Sequence, residues 1–324
     1  MNNKSFSVAI IGVGGLGSPA LISLINAWPL FKNDLVSEAG SFNDIRLSIF
    51  IFDSDQIELS NLNRQILFNH SDIGRIKSTT AMSRIEERLL SKLPDDITII
   101  AEPVSISRSN MKKYLLHTDL VFDCTDSVTL KFDLNDFCVL NGIPFVYAGV
   151  QGRKGLVLGV IKGGACIRCV FGNFTETEQI ELGGACREGG IIGSSAGLTA
   201  MYQVGEGLEI LKNKLIEQNS TSSIISIRNG IYNRLPVSRS RECLLGCNYS
   251  NVKVLDLTSI KCPETYLYAK VALEDLENEE KLEIKFGSSE DLINISHSLT
   301  QDGRKIHLKT SHTEWKQYRL IVEK

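Results

Sequence analysis

Three things are missing from this 324-residue chain, and each closes off a class of function. Excess positive charge is the first: 35 Lys and Arg stand against 38 Asp and Glu, a formal net charge of −3. A nearly balanced chain without a basic stripe argues against nucleic acid and against an anionic membrane as partners. The second is a long apolar run. No stretch approaches the roughly 18 uninterrupted apolar residues of a membrane-spanning helix, and the opening MNNKSFSVAIIGVGG lacks an apolar region followed by a cleavage site. A cytoplasmic protein is expected. The third is an internal repeat. With 43% hydrophobic and 23% charged residues, the length suits two globular domains. In a reducing compartment the 8 cysteines read as ligands, reactive thiols or core fillers, not disulfides.

What is present is an alternation. SVAIIGV (7–13) is a short apolar run ended by glycines and reads as a buried strand. SPALISLINAW (18–28) predicts a helix with Ser18 and Pro19 in its first turn. PLFKNDLVSEAGSFND (29–44) predicts an irregular excursion. Strands are expected at 45–53, 97–105 and 120–126, with helices at 75–93 and at 128–142, the latter closed by Gly142. Two strands around a glycine turn fall in 145–161, followed by cysteine-bearing loops, a helix at 198–215 and a hairpin at 224–240. Buried strands alternating with helices predict a Rossmann-like, mainly parallel α/β sheet with flanking helices. Near residue 250 the pattern restarts as a small βαβαββ two-layer α/β unit. The expected domains are 1–249 and 250–324.

GVGGLGS (12–18) follows the first strand and opens a helix. Such a turn lets backbone N–H groups reach phosphate oxygens, and the helix N-terminus favours an anion. Gly12, Gly14, Gly15 and Gly17 are the candidate positions, although the turn alone suits NAD, FAD and ATP equally. Asp53, ending the second strand, is placed to accept from ribose hydroxyls; a solvated strand end is the plainer reading. SNLNRQ (60–65), Lys77 and DCTD (123–126) separate these chemistries. Arg64 and Lys77 supply positive charge for triphosphate oxygens, and Asp126 a carboxylate for Mg2+. Hydride transfer needs none of them, whereas phosphoryl or nucleotidyl transfer does. Singly, surface ion pairs would account for Arg64 and Lys77, and a helix N-cap for Asp126. Jointly, at strand C-termini of one sheet, they point to a magnesium-bound triphosphate.

The cysteines divide by context. Cys166 and Cys169 form C-x-x-C, and Cys243 and Cys247 form C-x3-C. Four thiolates in two pairs suit a closed tetrahedral structural Zn2+; four free thiols or two disulfides are the alternatives. Cys186 stands in GGACREGG (183–190), where Arg187 would favour a thiolate, or it is a loop cysteine without a task. Cys124 and Cys138 read as buried packing thiols. Cys262 precedes Pro263, which suits a first helical position. Its thiol is therefore expected at a helix N-cap, with the helix terminus and Lys261 favouring the thiolate.

GVGGLGS, IFDSDQIELSNLNRQ, the Gly74…Lys77 pair, DCTD and CIRC together resemble the ThiF/MoeB family over residues 7–247. The resemblance implies an adenylating fold shared with ubiquitin-activating enzymes. It implies that Asp53 holds the ribose of ATP, that Asn61, Arg64, Gln65 and Lys77 hold its phosphates, and that Asp126 holds Mg2+. The implied substrate is the C-terminal carboxylate of a ubiquitin-like sulfur-carrier protein ending in Gly-Gly, and the implied assembly is a homodimer. Cys186 aligns with a cysteine that in some members links covalently to the carrier. In the family both zinc-binding pairs are normally C-x-x-C, so CLLGC carries one extra residue. Members usually begin with a helix whose arginine reaches the other subunit's triphosphate. This chain opens almost on its first strand, so the expectation is that another arginine substitutes, with Arg153 and Arg75 as candidates, or that adenylation is slow, or that the substrate differs. Residues 252–324 resemble the TusA sulfur-carrier family, with Cys-Pro opening a helix and Thr265 where a second proline is usual. That implies a persulfide on Cys262, charged by a cysteine desulfurase or another donor. Together the two halves imply adenylation of the carrier and then sulfur transfer from Cys262 to give a thiocarboxylate. Adenylation of a small-molecule or peptide carboxylate, an inactive nucleotide-binding scaffold for sulfur relay, and NAD-dependent redox chemistry remain open alternatives.

Overall fold

The computed structural model describes residues 2–39, 42–88, 94–175, 177–179, 190–215, 222–228, 231–240, 243–245, 247, 252–260, 264–277 and 280–323. It forms two compact units, Met1–Ser238 and Arg239–Lys324. Among the described residues no helix is long and apolar enough to cross a membrane.

The first unit is built on one eight-stranded sheet. Its strands are β1 (Asn2–Ile11), β2 (Phe42–Phe52), β3 (Ile97–Glu102), β4 (Leu120–Asp123), β5 (Phe145–Gln151), β6 (Lys154–Val160), β7 (Ser223–Arg228) and β8 (Ile231–Pro236). They run in the order β3-β2-β1-β4-β5-β6-β7-β8. The first five are parallel; from β5 to β8 the pairing is antiparallel. The mainly parallel α/β sheet expected from the alternation is thus present. All four residues of β4 are buried, as in a parallel strand covered on both faces, and its last residue, Asp123, is charged. The chain leaves β1 toward β2 and β3 on one side and returns to β4 on the other. This reversal opens a crevice at the C-terminal ends of β1 and β4, where ligands of such sheets bind.

Helices α1 (Gly17–Ala39), α2 (Lys77–Arg88), α3 (Met111–Leu115), α4 (Val128–Asn141), α5 (Ile167–Phe171) and α6 (Gly193–Leu215) complete this unit. One expectation is corrected: 29–39 is not an irregular excursion, because α1 continues through Pro29 to Ala39. Proline removes a helical hydrogen bond at a cost of about 3 kcal/mol. Leu21, Leu24, Trp28, Phe31 and Leu35, however, fall on one face and are all buried in the core. The Trp28 indole and the Lys32 ammonium also reach Asp96, at 3.3 and 2.7 Å. Burying this stripe outweighs the local propensity. Gly142 closes α4 as expected, in the left-handed conformation at φ 67°.

The second unit has the expected βαβαββ order: β9 (Lys253–Leu257), α7 (Glu264–Glu274), β10 (Lys281–Phe286), α8 (Ser289–Gln301), β11 (Lys305–His312) and β12 (Gln317–Glu323). Its sheet runs β11-β12-β10-β9. Leu257, Leu273, Ile284, Phe286, Leu292, Ile295 and Leu320 fill its core. Residues 243–245 and 247 belong to this unit, and the Arg319 guanidinium donates to the Leu245 carbonyl at 3.1 Å.

Candidate active site

The glycine turn is shaped by close backbone approach. Gly12 has φ 87°, and a methyl group on it would stand 3.1 Å from the Cys124 carbonyl oxygen. A methyl on Gly17 would stand 1.9 Å from the Gly12 carbonyl oxygen, a collision no side chain can relieve. Asp53, buried at the end of β2, accepts the Val13 N–H at 2.7 Å with one oxygen and the Asp55 N–H at 2.9 Å with the other. It therefore stitches the turn to the loop beyond β2. Burial pushes its carboxyl above the ordinary aspartate range, partly offset by the Val13 N–H and by the positive charge of Lys77.

That loop is a lariat. Its neck is drawn together by a bridge between Gln56 and Ile76. The Ile57 N–H bonds the Arg75 carbonyl, and the Gly74 N–H bonds the Ile57 carbonyl, at 2.9 and 2.8 Å. The tip carries a short 3-10 turn, Leu59–Asn61. The Asn61 side chain accepts from the Glu58 N–H at 3.3 Å, while its carbonyl accepts the N–H groups of Arg64 and Gln65. Asn61 thus shapes the tip that presents its two neighbours. Arg64 lies over Gly15, with Cγ and Cδ each 3.3 Å from where a methyl would be. Its Nη1 donates to the Ser60 carbonyl at 2.9 Å and to Asn63 Oδ1 at 3.0 Å. Gln65 is buried against Gly14, and its amide oxygen has no hydrogen-bond partner among the described residues. Lys77 opens α2 at the neck. Its N–H bonds the Asp55 carbonyl, and its Nζ is 2.9 Å from Asp55 Oδ2.

DCTD leaves β4 beside the glycine turn. Asp126 is exposed and is not the helix cap: the Ser127 Oγ accepts the Leu130 N–H and caps α4 instead. Sequence reasoning singled out Asp126 and missed the buried support beneath it. Asp123 accepts from the Thr125 N–H and Oγ1 at 3.0 and 2.8 Å and pairs with Lys131 Nζ at 2.8 Å. Lys131 also donates to the Ala148 carbonyl at 2.6 Å and lies over the Tyr147 ring. From α6, the Gln203 amide donates to the carbonyls of Asp123 and Val146. No periodicity announces these residues, because α4 buries its charged Lys131, Asp133 and Asp136 along with its apolar side chains. The glycine turn, Asp53, Arg64, Gln65 and the DCTD loop are brought together, and Asp55 ties in Lys77.

Of the candidate thiols, Cys186 and Cys262, with Arg187, Lys261 and Pro263, lie outside the described residues. Cys124 and Cys138 are buried, and burial pushes both thiols up, far from the thiolate. The Sγ atoms of Cys166 and Cys169 are 3.8 Å apart, and those of Cys243 and Cys247 are 3.6 Å apart. Arg168, between the first two, forms a buried double hydrogen bond with Asp136, both at 2.7 Å, and so pins the knuckle to α4.

The ThiF family matches residues 2–245. This chain belongs to the ThiF family. It is 28% identical over 246 residues to the adenylyltransferase and sulfurtransferase UBA4 of Candida albicans, a match covering 75% of this chain and 50% of that protein. It is 31% identical over 209 residues to the adenylyltransferase and sulfurtransferase MOCS3 of Aedes aegypti, covering 64% of this chain and 42% of that protein. The chain thus spans half or less of the length of these two relatives. The sulfur carrier protein ThiS adenylyltransferase of Escherichia coli is 31% identical over 206 residues, covering 63% of this chain and 71% of that protein. Among solved structures, E. coli MccB with ATP shares the fold of this ThiF-family chain, with a TM-score of 0.56 at 20% identity over 74% of this chain and 65% of that one.

Proposed function

We propose that this chain adenylates the C-terminal carboxylate of a ubiquitin-like sulfur-carrier protein ending in Gly-Gly, and then passes it sulfur from a persulfide on Cys262. The observation that carries the first half is the lariat tip laid on the glycine turn: Arg64 over Gly15 and Gln65 against Gly14, with Asp53 bonded to Val13. Two cations and a row of backbone N–H groups beside a ribose-competent carboxylate suit a nucleoside triphosphate better than a dinucleotide. The donor set fits the group: Asp126, exposed at the rim, would hold Mg2+, which offsets phosphate charge when bound. Asp53 accepts from the ribose, while Arg64, Lys77 and the turn hold the phosphates. A carboxylate oxygen of the carrier attacks the α-phosphorus, the bond to the bridging oxygen breaks, and pyrophosphate leaves.

The sulfur half rests on the sequence around Cys262. The terminal sulfur of its persulfide attacks the activated carbonyl and AMP departs, giving an acyl disulfide. An external thiol attacks the Cys262 sulfur and releases the thiocarboxylate, leaving Cys262 in a disulfide with that thiol. Each of the two cysteine pairs is read as a pair of ligands for structural zinc. Their separations of 3.8 and 3.6 Å compare with about 3.8 Å for two thiolates at roughly 2.3 Å from a tetrahedral zinc. A homodimer and a cysteine desulfurase as donor complete the proposal. The test is intact mass of a Gly-Gly carrier incubated with ATP, Mg2+ and a persulfide source, alongside ATP–pyrophosphate exchange. No exchange removes the adenylation. Undiminished thiocarboxylate from Cys262→Ala removes the relay.

A further inference from the structure

We propose that Asp72 and Arg84 are positioning residues for the nucleotide site, clamping the lariat that carries Arg64 and Gln65 at its tip and Lys77 at its neck. The inference rests on the adenylation reading above and concerns residues outside the glycine turn, the lariat tip and DCTD. Asp72 is fully buried and accepts four hydrogen bonds. Its Oδ1 takes Arg75 Nη1 at 3.2 Å and Arg84 Nη2 at 2.7 Å; its Oδ2 takes Arg84 Nε at 2.9 Å and the Asn69 N–H at 3.0 Å. Arg84 stands two turns into α2, and its Nη2 also reaches Asn69 Oδ1 at 3.3 Å and Ser71 Oγ at 3.1 Å. One guanidinium on the helix thereby gathers Asn69, Ser71 and Asp72 of the loop.

The geometry makes this a clamp on the site. Arg64 and Gln65 precede the turn by a few residues, with Leu67 and Phe68 buried between them and it. Lys77 follows the turn by five residues and begins the helix that carries Arg84. Fixing the turn to α2 therefore fixes the spacing between Arg64 and Lys77, two cations meant for one triphosphate. The lariat has only short 3-10 turns of its own, so its shape rests on such links. A buried ion pair is a weak source of net stability compared with packed apolar groups, but it is selective for one arrangement. Here the arrangement selected is the one that presents the phosphate ligands.

The test separates positioning from stability. Asp72→Asn should raise the KM for ATP in ATP–pyrophosphate exchange by about tenfold or more, since a shift near 1 Å in a phosphate ligand is costly. The KM for the carrier should stay within about twofold, as expected for a link that touches only the nucleotide side. Amides of residues 58–73 should lose hydrogen-exchange protection while those of β1 and β4 keep theirs. Asp72→Leu with Arg84→Met should recover melting temperature without recovering the KM for ATP, and Arg84→Lys alone should raise that KM less than Arg84→Met alone. Unchanged protection at 58–73 in Asp72→Asn would overturn the clamp, as would equal rises in both KM values. If the wild-type chain shows no exchange, the adenylation reading falls, and the protection of 58–73 still decides whether Asp72 holds the loop.

Discussion

Arg64 lies along Gly15, its Cγ and Cδ occupying the space that a side chain there would need. Gly15→Ala should displace the guanidinium without disturbing the backbone. The expected result is a folded protein whose KM for ATP rises about tenfold. Gly17→Ala is a different perturbation, since its methyl meets the Gly12 carbonyl oxygen at 1.9 Å. That variant should lose the fold of the turn altogether. Circular dichroism beside exchange kinetics distinguishes the two.

Asp53 predicts a pH dependence. Burial raises its carboxyl, and the N–H of Val13 and the charge of Lys77 only partly restore it. Acid should therefore weaken ATP binding at a pH above that of an ordinary aspartate, because the protonated group loses acceptor capacity. Stability has the opposite sign: between the ordinary and the raised value the folded chain binds more protons than the unfolded one, so this group's contribution falls as pH rises through that window. A profile of KM for ATP in wild type and Asp53→Asn checks it. The variant should bind more weakly overall and lack the acid limb.

Asp72 behaves in reverse. Burial alone would push its carboxyl up, but the Arg84 guanidinium and the Asn69 N–H outweigh that and hold it below the ordinary value. Its stabilisation is present above the unfolded value and disappears as pH falls through the depressed one. Acid unfolding followed by fluorescence should show a shallower acid limb in Asp72→Asn than in wild type.

Lys131→Met removes the cation beside fully buried Asp123. A single broken buried pair typically costs about 3–5 kcal/mol, and denaturant unfolding should show a loss of that order. Adding Asp123→Asn should return part of it, because the orphaned charge is gone.

Zinc content is the fifth quantity to measure. Bound zinc is expected, reduced in Cys166→Ser, with chelation lowering the melting temperature in proportion to occupancy. A chain that purifies without zinc, and whose melting ignores chelators, would leave the two cysteine pairs as packing thiols.

The sequence made legible those features whose signal is local. Buried strands, the glycine turn, the αL cap at Gly142 and the lariat cluster each announce themselves within a few residues. The path of α1 through Pro29 did not, because proline argues locally against helix and only the sheet beneath Trp28, Phe31 and Leu35 reverses the balance. Asp126 was visible as the last residue of DCTD, yet the cap belongs to Ser127. The partnership of Asp123 with Lys131, Ala148 and Gln203 joins four elements, and no window along the chain contains it. The pairing of Asp72 with Arg84 joins a loop to a helix across 12 residues, and no local pattern marks it.

Lys77 is bound by Asp55, whose side chain is 69% exposed although that of Lys77 is only 10% exposed. In the proposed reaction a phosphate oxygen takes over the ammonium, and the displaced carboxylate turns directly to water, with no penalty of a stranded anion. When pyrophosphate departs the exchange runs backward. The lysine is handed from one counter-ion to another throughout turnover, so product escape need never leave a naked ammonium inside the protein.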